Sequence, residues 1–485
     1  MITFLICLVI LIAGYFFYGK YVDRVFGTDA GKTTPAYEVN DGVDYIPMSD
    51  KRIFLIQFLN IAGLGPIYGA IMGAMYGPVV FLWITFGTIF AGAVHDYFSG
   101  MISLRNNGKS LPEIIGDQLG LSVRQIIRVF TLILMILVGA VFVSGPADIL
   151  TGMSGNSQSL GIWTAIIFVY YMMATLFPID KIIGKIYPVF GLALFIMAFG
   201  IMGAMLMHGY EIPNLNVSTL TNMNPNSESF PIFPFLFVTV ACGAISGFHA
   251  TQSPLMARCL KKETDGRKVF FGAMVAEGII ALIWAAAAMS FFGNIESFQD
   301  YMLANSDKAA LVVESISVGW LGKAGKVLVL LGVVAAPVTS GDTAFRSARL
   351  IIADVFNFSQ KSIKNRLLIA IPLFAVAFVL LQVNFGIIWR YFAWCNQTLA
   401  VFTLWAITIY LVKLRKNYFI SLIPALFMTA VSSSYILMAK EGFRLNHTLS
   451  YSLSLAITLA VFVLFIIRKK SIESVPSEIK VRNKS

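Results

Sequence analysis

Apolar runs of about 20 residues recur along the whole chain and are separated by short polar connections. A run of that length rises about 30 Å as a helix, which matches the hydrocarbon core of a bilayer. The pattern therefore predicts an all-α polytopic membrane protein with about 13 transmembrane helices. The predicted crossings are 2–18, 53–76, 78–104, 128–150, 161–180, 186–207, 232–257, 269–292, 323–338, 367–383, 388–412, 418–438 and 448–467.

The composition agrees with a chain embedded in lipid. Hydrophobic residues make up 58% of the 485 positions and charged residues 13%, and no stretch remains for a separate soluble domain. The first run, Ile2 to Tyr18, has no basic segment before it and no small-residue cleavage site after it, so we expect a retained helix. The cysteines show no paired spacing, which argues against a disulfide framework or structural zinc.

The net charge of +11 follows from the distribution of basic residues over the connections. The segments 151–161 and 208–230 contain no lysine or arginine, whereas the alternate connections and the tail 468–485 are basic. Because positive loops stay in the cytoplasm, this predicts an outside N-terminus, a cytoplasmic C-terminus and a plasma-membrane location, with lipid rather than nucleic acid as partner. The basic residues assigned to the cytoplasmic side are Arg105, Lys109, Arg124, Arg128, Lys181, Lys185, Arg258, Lys261, Lys262, Arg267, Lys268, Lys361, Lys364, Arg366, Lys413, Arg415 and Lys416.

Two of the predicted crossings carry residues that interrupt helices. The crossing at 53–76 contains NIAGLGPIYGA, and the crossing at 232–257 contains ACGAISGFHATQSP. Backbone groups freed by such interruptions are tolerated at membrane depth only when they are buried in protein or line a wet cavity. Two broken helices in corresponding positions of two halves are typical of a transporter binding site.

The two halves also correspond in their long connections. The first half has an amphipathic connection, residues 105–125, on the predicted cytoplasmic side, and the second half has one, residues 294–322, on the predicted outer side. Two inverted five-helix repeats would produce this exchange of sides. The predicted organisation is an N-terminal helix and loop (1–52), a first repeat (53–207), a second repeat (232–412), two further helices (413–467) and the basic tail (468–485).

Four long motifs make the chain similar to the carbon starvation protein A (CstA) family of bacterial inner-membrane carriers. They are FLNIAGLGPIYGA, AGAVHDYFSGMISLRNNGKSLPEIIG, TVACGAISGFHATQSPLMARC and PVTSGDTAFRSARLIIAD. The chain resembles the shorter form of that family. The resemblance implies uptake of peptides, and in some members of pyruvate, during nutrient limitation. It also implies a five-plus-five inverted fold like that of LeuT and the amino acid, polyamine and organocation carriers.

The interrupted segments supply the predicted substrate contacts. Glycines let backbone amides and carbonyls approach a ligand, and the partly positive N-terminus of a half-helix suits a substrate carboxylate. The alternative is that the small residues serve close helix packing. The predicted substrate-binding residues are Asn60, Gly63, Gly65, Tyr68, Gly243, Ser246, Gly247, His249, Thr251, Gln252 and Ser253.

Ionisable residues within the crossings are candidates for coupling to an ion or a proton, because a charge at that depth is costly unless it is paired or hydrated. His95 and Asp96 form one such pair, and Glu277 lies at a comparable depth. A histidine beside a carboxylate can pass protons near neutral pH. The alternative is a structural pair that fixes the end of a helix.

The segment PVTSGDTAFRSAR, residues 337–349, carries a further set of candidates. We expect its proline and glycine to interrupt a helix and to bring Thr339, Ser340 and Asp342 together. The resemblance to LeuT-like carriers implies that Thr339 and Ser340 help to hold a sodium ion. Asp342 is unlike a neutral sodium site and favours proton coupling over sodium coupling, while a salt bridge between Asp342 and Arg346 is the simpler alternative.

Together these features predict a secondary carrier that imports small peptides or pyruvate by alternating access, driven by proton or sodium entry. The chain has no GxxxxGK[ST] motif, which argues against a self-contained primary pump. No obligatory soluble ATPase is predicted as a partner. A channel or a nutrient sensor is the alternative. An intramembrane hydrolase using Ser253 or Ser340 with His249 would lack a motif such as GxSxG. We expect no enzymatic activity, no cofactor and no metal site, since the histidine, cysteine and aspartate residues lack ligand spacing.

Overall fold

A computed structural model describes residues 1–42, 44–174, 179–356, 358, 362–383 and 385–474. Lys361, residues 475–485 of the predicted basic tail and the end of the predicted crossing 161–180 lie outside these ranges, as do the side chains of Lys181 and Lys185. The described residues form helices and no sheet, with one isolated parallel bridge between Met48 and Leu260.

The α-helices follow one another as α1 (Ile2–Phe16), α2 (Tyr18–Phe26), α3 (Pro35–Glu38), α4 (Asp50–Ile61), α5 (Ala70–Ala74), α6 (Val80–Leu82), α7 (Ala93–Arg105), α8 (Leu111–Leu119), α9 (Leu121–Ser154), α10 (Leu160–Ala174), α11 (Ile179–Met207), α12 (Phe237–Thr239), α13 (Gly247–Ala257), α14 (Gly272–Phe291), α15 (Ile295–Ala304), α16 (Ala309–Leu328), α17 (Ala335–Phe356), α18 (Ile363–Leu380), α19 (Phe385–Lys413), α20 (Phe419–Met438) and α21 (His447–Ser474). Several are extended by π-helical turns, at Gly65–Gly69, Trp83–Gly92, Ile232–Leu236, Arg267–Phe271 and Val329–Val334.

In the part of the chain that is described, ten helical segments are long and apolar enough to cross a membrane. The bent pair Asp50–Ile61 and Gly65–Ala74 makes an eleventh. The two remaining predicted crossings consist of shorter pieces. Leu160–Ala174 has 15 residues, and the crossing at 232–257 is divided between α12 and α13. Length alone therefore misses the interrupted crossing at 232–257, while the end of the crossing at 161–180 lies outside the described residues.

Charge distinguishes two ends of the helix bundle. We call one end the basic face, where Arg105 Nε pairs with Glu263 Oε1 at 2.6 Å and Lys268 Nζ pairs with Asp50 Oδ2 at 2.6 Å. Helix α8 lies on the same face, because Lys413 Nζ donates to the Asp117 carbonyl at 3.2 Å. The basic connection that follows α7 and the one that precedes α14 therefore share one face, as the charge pattern predicts.

The other end, which we call the opposite face, carries the N-terminus and the segment 208–230. The Met1 amino group donates to Asn214 Oδ1 at 2.9 Å, and Gln299 Nε2 on α15 donates to the carbonyls of Met75 and Met223. Helices α8 and α15, which hold the two long connections, thus lie on different faces. Helix α1 starts on the opposite face, whereas Lys469 of α21 donates to Tyr418 near the basic face. The chain therefore passes through the bundle an odd number of times between α1 and Lys469.

One predicted interruption is absent. Helix α17 continues without a break through Pro337 and Gly341. The π-helical turn Val329–Val334 directly precedes it and shifts the register, so the missing amide and the ring of Pro337 are accommodated without ending the helix. The prediction of a break was therefore wrong here, although Thr339 and Asp342 do lie close together on buried turns of α17.

The two interrupted crossings lie at the centre of the bundle. Helices α4, α13 and α17 contact one another, and α9, α14 and α19 pack around them. The peripheral helices are more exposed, since the apolar windows of α1 with α2 and of α21 are mostly unburied. The central position of α4 and α13 places both interruptions where lipid does not reach them.

Candidate functional site

The first interrupted crossing bends by 54° where α4 ends at Ile61. Residues 62–64 leave the helix, and the π-helical turn Gly65–Gly69 restarts it. Pro66 lies at the start of this turn, where a missing amide hydrogen costs nothing. We call residues 62–64 the first break.

The second interrupted crossing stops at Thr239 and starts again at Gly247. Val240 and Ser246 have non-helical backbone angles, and Ser246 is the N-cap residue of α13. We call residues 240–246 the second break. The interruptions predicted from the two glycine-rich stretches are both confirmed.

The halves of the two crossings touch each other at the breaks. A Cβ atom on Gly65 would lie 2.1 Å from Cβ of Cys242, and a Cβ atom on Gly243 would lie 3.7 Å from Cα of Pro66. A Cβ atom on Gly63 would lie 3.5 Å from Ser340 Oγ. At Gly65, therefore, the absence of a side chain serves the direct approach of the two crossings.

Side chains from neighbouring helices satisfy the carbonyl groups that the second break exposes. They come from the turns before α7 and from α19, far away in the sequence. A tryptophan, a threonine and a glutamine donate to three carbonyls of the break itself. The bonds run from Trp83 Nε1 to Val240 O (3.2 Å), from Thr88 Oγ1 to Gly243 O (3.1 Å) and from Gln397 Nε2 to Ile245 O (3.2 Å).

Asn396 of α19 occupies the N-terminus of α13. Its Oδ1 accepts hydrogen bonds from the Phe248 amide at 2.6 Å and from the Ser246 hydroxyl at 3.0 Å. Its Nδ2 donates to Cys242 Sγ at 3.4 Å. The amide oxygen thus takes the role of a capping side chain and fills the position where a substrate carboxylate was expected to bind.

The first break is less completely satisfied. Ser340 Oγ on α17 donates to the Leu59 carbonyl at 3.0 Å. Both amide atoms of Asn60 and the hydroxyl of Tyr68 are buried without a hydrogen-bond partner among the described residues. Buried polar groups are normally paired, so Asn60 and Tyr68 are available to a ligand or to water.

Four ionisable side chains form a continuous buried chain beside the second break, which we call the buried quartet: His95, Asp96, His249 and Glu277. The carboxylate of Asp96 lies 2.8 Å from His95 Nδ1 and 2.9 Å from His249 Nδ1. His249 Nε2 lies 3.5 Å from Glu277 Oε2. All four side chains have 0% exposure. The quartet therefore joins α7, α13 and α14 through two close contacts at Asp96 and a longer one at Glu277, where the facing atoms have no hydrogen-bond partner among the described residues.

His249 was predicted to contact substrate, and the structure instead joins it to the residues predicted for coupling. Ser253 Oγ donates to the His249 carbonyl at 3.1 Å and not to the imidazole ring. The arrangement therefore lacks the serine-to-base contact of a hydrolase. Within the described ranges, no group of three or more His, Cys, Asp and Glu side chains is arranged to hold a metal ion.

Asp342 and Arg346 do not pair directly. Tyr187 OH donates to Asp342 Oδ2 at 3.0 Å, and Arg346 Nη2 donates to the Ala174 carbonyl at 3.1 Å. Both side chains are described, and no ion pair within 4.0 Å joins them. The simple salt bridge considered for Asp342 is thus replaced by a hydrogen bond from a tyrosine.

Several predicted hydroxyls bond back to their own helices. Thr339 Oγ1 donates to the Ala336 carbonyl at 2.6 Å, and Thr251 Oγ1 donates to the Phe248 carbonyl at 2.6 Å. Gln252 Nε2 donates to Thr251 Oγ1 at 2.9 Å. These side chains use their donor hydrogens within the protein, so fewer donors remain for a ligand.

A cavity of about 330 Å³ reaches the two crossings from the opposite face. Tyr68 and Thr239, from the half-helices on that side, line its inner part. Tyr68 is the one predicted substrate residue among its described lining residues; the others lie deeper, at or beyond the breaks. Next to it, a surface cavity of about 710 Å³ shares Phe230, Phe235 and Arg390 with it.

Near the two interrupted crossings the basic face offers much less space. Its larger cavity, of about 400 Å³, is lined by Val412, Arg415, Lys416, Tyr418 and Glu473 and by no described residue of either crossing. A cavity of about 30 Å³ lies between α8, α13 and α17, lined in part by Pro112, Thr251 and Ser347. Arg258 Nε donates to the Gly108 carbonyl at 3.0 Å across this end of the bundle. The breaks are therefore approached from the opposite face.

Four residues of the site were not predicted from the sequence. Asp148 and Arg390 line the 330 Å³ cavity, and Asn396 and Gln397 support the second break. Three of them are visible as polar residues inside apolar runs, in VFVSGPADIL and YFAWCNQTLA. Arg390 lies near the end of a crossing, where a charge gives no special signal.

The fold and the paired breaks define a polytopic membrane protein of the LeuT-like class. The crystal structure of a mutant of the Eremococcus coleocola manganese transporter matches 90% of this chain and 99% of its own, with a TM-score of 0.52 and 13% sequence identity. This likeness concerns the fold alone. It confirms the predicted all-α, LeuT-like class of fold.

The chain belongs to the carbon starvation protein CstA family, which residues 1–160 and 149–324 match. A Haemophilus influenzae protein named uncharacterized membrane protein is 42% identical over 367 residues, which are 65% of this chain and 99% of that protein. The family predicted from the four motifs is confirmed.

Two relatives carry functional names. The peptide transporter CstA of Campylobacter jejuni is 28% identical over 372 residues, covering 64% of this chain and 52% of the transporter. The pyruvate/proton symporter BtsT of Escherichia coli is 28% identical over 342 residues, covering 58% of this chain and 47% of the symporter. The chain thus spans about half the length of these two relatives.

Proposed function

We propose that this chain is a secondary carrier that imports small peptides or pyruvate across the plasma membrane by alternating access coupled to protons. The observation that carries the proposal is the direct contact of the two breaks, next to a cavity of the opposite face that is lined by Tyr68 and Thr239 of the same two crossings. Two interrupted helices that meet at the centre of a bundle can open a shared site to each side in turn. The names of the Campylobacter and Escherichia relatives support peptides and pyruvate as substrate classes.

In the proposed orientation the basic face is cytoplasmic and the N-terminus is outside. The pairing of Arg105 with Glu263, and the bond from Arg258 to the Gly108 carbonyl, close the cytoplasmic end. We assign this conformation to the outward-facing end of the cycle. Closure at one end also favours a carrier over a channel, because a channel needs a pore that is continuous across the membrane.

Protons are the proposed coupling ion, and the buried quartet is their proposed site. His249 belongs to α13, so a change in its protonation acts on the crossing that contains the second break. Sodium is the weaker candidate. The hydroxyls of Thr339 and Ser340 already donate to carbonyls, and Asp342 adds a charge that a neutral sodium site would lack.

Uptake into proteoliposomes tests the proposal. Labelled dialanine and labelled pyruvate are offered separately, under an imposed pH gradient and, in other vesicles, under an imposed sodium gradient. We expect at least one solute to accumulate under the pH gradient, and a protonophore to abolish the accumulation. Protein-free vesicles measure leakage. If neither solute accumulates under either gradient, the carrier proposal is wrong.

A further inference from the structure

We infer that the 330 Å³ cavity is a binding site for dipolar substrates, in which Asp148 receives the ammonium group of a peptide and Arg390 receives its carboxylate. The inference rests on the proposed function. It narrows the substrate to peptides with a free N-terminus and disfavours pyruvate.

Asp148 lies on α9, close to the first break. At Gly145, one turn earlier, α9 approaches so closely that a Cβ atom there would be 2.3 Å from Leu64 Cδ1. The carboxylate of Asp148 lines the cavity and makes no hydrogen bond or ion pair within the described part of the chain. Lys308, in the same cavity lining, acts electrostatically on this carboxylate but lies beyond ion-pair distance, so an ammonium group of the substrate can approach Asp148 more closely.

Arg390 lies on a different helix, near the start of α19, and lines both outer cavities. Its Nε lies 3.3 Å from Glu441 Oε2. The Tyr435 hydroxyl donates to Glu441 Oε1, and the Tyr391 hydroxyl donates to the main-chain carbonyl of Glu441. Glu441 is therefore held in place and orients the guanidinium. The remaining donors of a planar guanidinium suit a carboxylate, which they can bind in a bidentate manner.

The charged residues that line the cavity balance in sign, apart from Glu441, which pairs with Arg390 from outside the lining. Asp307 and Lys308 also line it and contribute one charge of each sign, like Asp148 and Arg390. A peptide zwitterion has the same balance and can pair with both signs at once. Pyruvate brings a carboxylate and no cation, so it leaves Asp148 unpaired and adds a like charge to the same cavity. A site built around a polar partner strongly rejects a ligand that lacks that partner.

Size and lining also fit a short peptide. A volume of 330 Å³ corresponds to about eleven water molecules at about 30 Å³ each. Dialanine has about as many non-hydrogen atoms, and pyruvate has roughly half that number. Tyr68, Phe385 and Trp389 give the cavity aromatic walls that suit peptide side chains.

The test removes one charge from the protein and the matching charge from the ligand. Dialanine, N-acetyl-dialanine, dialaninamide and pyruvate compete against labelled dialanine in proteoliposomes. We expect Asp148→Asn to raise the half-saturating concentration of dialanine about ten- to a hundredfold and to leave that of N-acetyl-dialanine unchanged. Arg390→Gln should weaken dialanine similarly and leave dialaninamide unchanged.

Two further variants keep the result interpretable. Asp300→Asn changes an exposed aspartate of α15 outside the cavity and should match the wild type. Asp148→Glu retains a carboxylate and should recover the preference for a substrate with a free amine. Thermal unfolding of every variant identifies any that is misfolded. An equal loss of dialanine and N-acetyl-dialanine in Asp148→Asn, or equal uptake of pyruvate and dialanine by the wild type, overturns the inference and leaves the carrier proposal standing. Failure to take up any solute overturns the carrier proposal itself.

Discussion

The two breaks look alike in sequence and differ in chemistry. At the second break, Trp83, Thr88 and Gln397 satisfy the freed carbonyls and Asn396 caps the restarted helix. At the first break, Asn60 and Tyr68 are left without partners among the described residues. A broken helix is therefore not by itself a ligand site, because side chains of the protein can form hydrogen bonds with the backbone groups that the break frees. We expect the first break to meet the substrate and the second to transmit coupling through His249.

The largest effect is expected from Gly65→Ala, which attacks the contact between the two breaks. The added Cβ atom would lie 2.1 Å from Cβ of Cys242, so the crossings must separate. We expect uptake of labelled substrate to be lost, and Cys242→Gly in the same chain to restore part of it. Gly161→Ala is the matched control, since nothing lies within 4 Å of a Cβ atom there. Wild-type uptake by Gly65→Ala would refute a functional role for the contact.

The next effect, from Asp96→Asn, separates coupling from substrate movement. An asparagine cannot carry a proton between His95 and His249. A gradient of about one pH unit supports about tenfold accumulation per coupled proton, and we expect this to fall to about onefold. Exchange of internal for external substrate should persist, and paired accumulation and exchange assays measure both. Loss of exchange together with accumulation would make Asp96 a structural residue, and Asp300→Asn serves as the control.

Much of the arrangement could be predicted because its signals are local. Glycine and proline in NIAGLGPIYGA and ACGAISGFHATQSP mark the two breaks, since clusters of these residues weaken a helix locally. The concentration of lysine and arginine in alternate connections, and their absence from 151–161 and 208–230, predicts which ends of the helices share a face. Both signals depend only on residue type and order along the chain, so they can be recognised before the fold is known.

The chemistry of each break could not be predicted, because it depends on residues far apart in the sequence. Gln397 is 152 positions from Ile245, whose carbonyl it satisfies, and Trp83 is 157 positions from Val240. Local reasoning also fails at Pro337, where a preceding π-helical turn absorbs the proline and α17 continues. The predicted substrate role of His249 stays a prediction, and its contacts favour coupling instead.

A third prediction compares one asparagine at each break, beginning with Asn396→Ala at the second. The change leaves the Phe248 amide and the Ser246 hydroxyl without their acceptor. We expect the free energy of unfolding to fall by about 1–3 kcal/mol. Denaturant titration in mixed micelles measures it. An unchanged free energy of unfolding would mean that the second break does not depend on its cap.

Asn60→Ala at the first break should give the smallest and most selective effect. Since neither amide atom of Asn60 has a partner among the described residues, removing them breaks no hydrogen bond of the protein and should leave the free energy of unfolding close to that of the wild type. If the side chain serves the substrate, the half-saturating concentration for uptake should rise by about two- to tenfold, the value of one net hydrogen bond. Asn396→Ala is the matched comparison, because in that variant we expect the free energy of unfolding to fall. A loss of stability in Asn60→Ala equal to that in Asn396→Ala would erase the distinction between the two breaks, because both asparagines would then act as supports.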